Sequence, residues 1–84
     1  MPDTLTLMTK PLAETLAANV RAEMWRQNVS SRTMAKVLGL SPQQMSERLR
    51  GLVEIRPNEL QKIAEELGKP VGWFLGVPSE EPAA

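Results

Sequence analysis

The chain has 84 residues, ten Lys or Arg against ten Asp or Glu, and no Cys or His. That length gives one domain with a single small core, marginal without close packing or a partner subunit. The missing thiols and imidazoles exclude Cys nucleophiles, His bases and most zinc sites, so neither metal nor cofactor is expected. No apolar run approaches the roughly 18 residues of a membrane span, and MPDTLTLMTK has no signal-peptide pattern; a cytoplasmic location is expected.

A formal charge of zero is unusual for a nucleic-acid binder, whose affinity normally rests on neutralising phosphates. Its distribution is more informative. Between Arg21 and Arg56 seven basic residues stand against three acidic ones, a local excess of four, while Pro57 onward carries minus three and the residues before Asn19 minus one. This reads either as a basic face with an acidic back or as charges scattered for solubility.

In chain order, residues 1–11 have no helical period, and Thr4-Leu5-Thr6-Leu7 alternates like a short strand. They are expected to form a flexible arm, a strand pairing across a dimer, or an arm touching the DNA backbone. A first helix is expected from about Leu12 to Gln27, with Leu16, Val20 and Met24 on its core face. Trp25 falls about 100° round from Met24 and either packs along the domain edge or stands exposed as an anchor for a partner.

Ser31 to Arg50, SRTMAKVLGLSPQQMSERLR, then reads as two short helices hinged at Gly39. Ser30 is the better cap for the first, and Met34 and Ala35 give it a small apolar face. Gly39 supplies the left-handed conformation of a tight helix end. Ser41, Pro42 and Gln44 agree on the start of the second: cap acceptor, first helical position and capping-box partner. Met45 and Leu49 share one face of it, and Gln43, Ser46, Glu47 and Arg50 point roughly the other way. Those polar types hydrogen-bond base edges in a major groove, Gln suiting adenine and Glu the cytosine amino group. An ordinary solvated helix face has similar composition. Ser31 and Arg32, at the N-terminus of the first helix of the pair, are candidates for a phosphate contact, although Arg32 also suits plain solvent.

Gly51 closes the second helix, and Leu52 to Arg56 form a loop to Pro57. A fourth helix is expected over about Asn58 to Leu67, with Leu60, Ile63, Ala64 and Leu67 inward. A last short helix follows from Val71 to Leu75, with Trp73 off its apolar set. Residues 77–84 look like a flexible tail.

The pattern resembles the lambda-repressor-like, Cro-type helix-turn-helix regulators of phages and bacteria, from about Leu16 to Gly76. A small residue five positions into the two-helix unit, Gly nine in and an aliphatic fifteen in are matched by Ala35, Gly39 and Met45. VRAEMWRQNVSS resembles the family's first helix, and PNELQKIAEELGKPVGWFLG its last two. The resemblance implies an all-α, compact five-helix domain over residues 12–76. Its recognition helix would set Gln43, Gln44 and Glu47 on base edges with Ser46 assisting, while Ser31, Arg32, Ser41, Arg48, Arg50 and Arg56 hold phosphates. It also implies dimer contacts at the C-terminal end, where Trp73 is the interface candidate.

Two positions depart from that family. Many members bury an Arg of helix one against a Glu of the recognition helix; the matching residues here are Met24 and Leu49, which can replace the pair by packing. Arg48 stands where the family has an aliphatic residue, and either grips a phosphate or pairs with Glu23 or another acid.

The expected function is a sequence-specific regulator, a repressor above all, that binds operator DNA as a homodimer and takes no small-molecule ligand. The alternative is an interaction module of the same fold, such as an antitoxin or adaptor, anchored by Trp25 or Trp73. Nothing points to an enzyme, since no paired catalytic groups appear.

Overall fold

The computed structural model of the protein describes residues 12–76. The expectations for the arm (residues 1–11) and the tail (residues 77–84) lie outside these. Among the described residues five helices follow one another: α1 Leu12–Gln27, α2 Ser31–Leu38, α3 Pro42–Leu49, α4 Pro57–Leu67 and α5 Val71–Phe74. The all-α architecture matches the expectation, with α4 starting one residue earlier and α5 ending one residue sooner.

The longest helix, α1, is the spine. Leu16, Val20 and Met24 recur every fourth residue and are buried with Ala17 against α3, α4 and α5. Around them close Met34 and Ala35 of α2, Met45 and Leu49 of α3, Leu60, Ile63, Ala64 and Leu67 of α4, and Phe74 of α5. Three methionines sit in this core, where their unbranched thioethers fill irregular gaps between short helices. Met24 and Leu49 are both buried in it, so these two positions are held by packing.

Local chemistry sets the helix ends. Ser30 Oγ accepts the Thr33 N–H at 3.0 Å and starts α2. Gly39 ends it in the left-handed region at φ 72°, and the N–H of Leu40 folds back on Ala35 O at 2.9 Å. A side chain there would meet open space but an unfavourable backbone, so conformation rather than room dictates glycine. Asn28 takes the same left-handed region at φ 61°, one of the residue types that tolerates it, and turns the chain out of α1.

Side-chain-to-backbone bonds dock the remaining pieces. Asn19 Nδ2 donates to Phe74 O at 2.7 Å, tying α5 to the middle of α1. Gln27 Nε2 donates to Leu67 O at 2.8 Å, tying the end of α1 to the end of α4. Trp25 lies on the opposite side of α1 from this core and is 87% exposed, so it does not pack along the domain edge.

Leu49→Ala is expected to lower unfolding free energy by roughly 2–5 kcal/mol, as buried truncations do. Trp25→Ala, with little area to lose, should stay within about 0.5 kcal/mol of the parent. Urea titrations of both variants check the contrast.

Candidate nucleic-acid interface

α3 is eight residues long, and each of its ends is fixed. At its start Ser41 Oγ accepts the Gln44 N–H at 3.1 Å while the Ser41 N–H donates to Gln44 Oε1 at 2.9 Å, the reciprocal box expected from Ser41, Pro42 and Gln44. At its end the guanidinium of Arg21, on α1, donates to Leu49 O. Met45 and Leu49 face the core.

The outer face carries Gln43, Ser46, Glu47 and Arg50. Gln43 is exposed, Ser46 and Glu47 are half-buried and Arg50 is exposed at the C-terminal end. Gln43 Nε2 lies 3.4 Å from Glu47 Oε2, so an amide and a carboxylate one turn apart present adjoining donor and acceptor atoms. Gln44 is exposed as well, but on the flank of this face, and its Oε1 is engaged in the cap. Its amide nitrogen takes no part in that cap.

Of the alternatives expected for Arg48, the structure shows pairing with an acid other than Glu23. Arg48 is buried, and its Nε and Nη2 donate to Glu59 Oε1 and Oε2 at 3.0 and 3.3 Å, a two-pronged pair between α3 and α4. Its carboxylate partner is Glu59 rather than Glu23. The same Glu59 Oε1 accepts the backbone N–H of Arg56 at 3.0 Å, so one carboxylate closes the N-terminus of α4 and holds α3. Burial pushes the Glu59 carboxyl up, but hydrogen bonds from Arg48 and the Arg56 N–H outweigh it, and the net shift is downward. Glu23 instead bonds Gln27 and Arg26 within α1; its carboxyl is lowered mainly by the Gln27 amide at 2.6 Å.

These pairs alter the electrostatics of the basic stretch. Arg26 and Arg48 are tied to carboxylates, while Arg32, Lys36, Arg50 and Arg56 are exposed on or beside the two motif helices. Ser31 and Arg32 are exposed in the first turn of α2, Ser41 at the start of α3, and Arg56 just before α4. Sequence reasoning missed Glu59 and Arg21. Glu59 was detectable as the third residue of a Pro-initiated helix, a capping position; the bond of Arg21 depends on how α1 crosses α3.

At the far end, Trp73 is 38% exposed, packs edge-on against Phe74 at 5.0 Å, and lies under the Lys69 ammonium at 4.9 Å. It therefore both borders the core and offers a surface. No helix among the described residues is long and apolar enough to cross a membrane.

Two short helices joined by a left-handed glycine turn, the second capped and projecting a polar face, make this a helix-turn-helix protein. A helix-turn-helix family model matches residues 21–74, more than half of the chain, and the protein belongs to that lambda-repressor-like family. Two solved structures of the clp gene regulator ClgR from Corynebacterium glutamicum are similar. One is 30% identical, with a TM-score of 0.73 over 80% of this chain and 87% of that one. The other is also 30% identical, with a TM-score of 0.74 over 79% and 70%. No curated protein sequence matches.

Because the Glu59 carboxyl is lowered in the fold, its stabilising contribution is present above its unfolded value near 4.5 and is lost as pH falls through the folded value. Glu59→Gln should flatten the acid limb of stability below about pH 4.5. Glu59→Ala, which strands a buried guanidinium, should cost roughly 3–5 kcal/mol, whereas Arg48→Met with Glu59→Leu should recover most of it. Unfolding curves between pH 3 and 7 read both effects.

Proposed function

We infer that this protein is a DNA-binding transcriptional regulator that occupies an operator as a homodimer and represses. The observation that carries the reading is the fixed polar face of α3, where Gln43 and Glu47 adjoin on a helix held at both ends. Pre-set side chains lose little entropy on docking, which favours reading bases over merely tolerating them. Gln43, Glu47 and Ser46 are assigned to base edges, with Gln44 contributing through its amide nitrogen. Ser31, Arg32, Ser41, Arg50 and Arg56 are assigned to phosphates; Arg48 leaves that group because it is spent on Glu59. The clp gene regulators of similar structure support a regulatory role.

Arg50 and Arg56 flank the ends of the loop after α3, and Arg32 lies in the first turn of α2, so cations stand on both sides of the polar face in the chain. That layout suits a duplex whose groove takes the helix and whose two backbones take the flanks. Trp73 is assigned to the dimer contact, and a two-fold dimer would engage half-sites about 34 Å apart. A protein-binding module of the same fold is the second reading, favoured by the fully displayed Trp25. Salt separates the two, because phosphate contacts make affinity fall steeply with ionic strength.

Selection from a random duplex pool should enrich a palindrome. On the selected duplex Gln43→Ala should lose roughly 1–3 kcal/mol of specific binding with nonspecific affinity kept. Arg50→Ala should weaken all duplexes alike and reduce the salt slope by about one. Equal loss on both kinds of DNA for Gln43→Ala would reject its reading role. In sedimentation, Trp73→Ala should shift the protein towards monomer with its helix content unchanged.

A further inference from the structure

The start of α1, the loop before α4, the first turns of α4 and the underside of α5 enclose an apolar groove of about 360 Å³. Leu16, Ile55 and Leu60 form its floor, and Leu12, Val71 and Leu75 its rim. Leu12 is 60% and Val71 39% exposed, so large aliphatic side chains line an open trough. For scale, truncating one buried Leu to Ala can leave a void of roughly 150 Å³, so this groove has room for about two side chains of that size.

We propose that residues 1–11 of the same chain lie in this groove, with Leu5, Leu7 or Met8 filling it. The position of the segment and its composition carry the assignment. Residues 1–11 run directly into Leu12, which is itself part of the rim. Leu7 is five residues from Leu12, and so within about 16–18 Å even when fully extended. A tether this short gives an effective concentration in the millimolar range, which lets a modest apolar contact form without a separate partner.

Charge does not oppose it: residues 1–11 carry one Asp (Asp3) and one Lys (Lys10), with Lys10 next to the rim where Glu54 lies on the groove. The other end of the chain fits worse: residues 77–84 bring Glu80 and Glu81 towards Glu54 and offer Val77 as their one large aliphatic side chain. A second copy is assigned elsewhere on α5. Val71 and Leu75, four residues apart, share the groove face, whereas Trp73 stands about 200° round from Val71. One short helix thus serves the segment with one side and leaves the aromatic side for a dimer.

The test is methyl NMR on the full chain labelled at Leu, Met and Val. Cross-peaks are expected from Leu5, Leu7 or Met8 methyls to those of Leu60, Val71 or Leu75, unchanged on tenfold dilution. Leu5→Ser with Leu7→Ser should abolish them and lower the melting temperature by about 4–8 °C, while Thr4→Ala with Thr6→Ala should change neither. Absence of such cross-peaks together with unaltered melting of the Leu variant overturns the proposal. Cross-peaks found only between differently labelled chains also overturn it, since they put another copy on the groove.

Discussion

An eight-residue helix does not hold its shape alone in water, because the cost of nucleation is not recovered over so few backbone bonds. α3 is such a helix, about 12 Å long, and the polar face of Gln43 and Glu47 is mounted on it. Its ends and its inner side are therefore all supplied with partners. The Ser41–Gln44 box closes the start, the Arg21 guanidinium reaches the final carbonyl, and Met45 and Leu49 enter the core. The Arg48–Glu59 pair adds what apolar contacts lack, a directional bond from the side of α3 to the first turn of α4.

That pair illustrates a trade between stability and geometry. A buried ion pair is weakly favourable against matched hydrophobes, since both ions give up water. Here the carboxylate also accepts the Arg56 N–H, so its lone pairs are well used, and a helix start and an inter-helix link share one group. In many relatives the equivalent link joins the first helix to the recognition helix; here that place is apolar, with Met24 and Leu49 in the core. The ionic link is found one helix further on. The apolar contact between α1 and α3 is supplemented by the Arg21 bond to Leu49 O, while Arg48 and Glu59 hold α3 from the α4 side.

The fold was legible because its signals are local and agree with one another. Ser30, Gly39, Ser41 and Pro42 mark ends, and apolar spacing of three and four marks faces; each depends on residues a few positions apart. The site was legible only in outline. That Gln43 and Glu47 point outward follows from helical period, but the fate of Arg48 depended on a carboxylate eleven residues away across a loop, which no period encodes. Gln44 was anticipated both as a cap and as a base reader, and in the structure its side-chain oxygen accepts the cap bond. Trp25 was ambiguous because 100° from a core residue is a boundary; the crossing of α1 leaves it outside.

Neutral net charge and DNA binding are compatible once internal pairing is separated from surface charge. Arg26 and Arg48 are neutralised within the fold by Glu23 and Glu59, so they contribute to shape. Those two pairs cancel internally, which leaves five cations and two acids in the Arg21 to Arg56 stretch, with Arg21 itself bonded to a helix end. Glu47 and Glu54 are those acids, and Glu47 stands among the base-facing candidates, where a carboxylate costs nonspecific affinity for phosphate but accepts a hydrogen bond from a cytosine amino group. A binder with few free cations gains little from any duplex and must gain more from the right one. The modest surface charge is therefore consistent with discrimination resting on the polar face of α3, with the flanking arginines setting register.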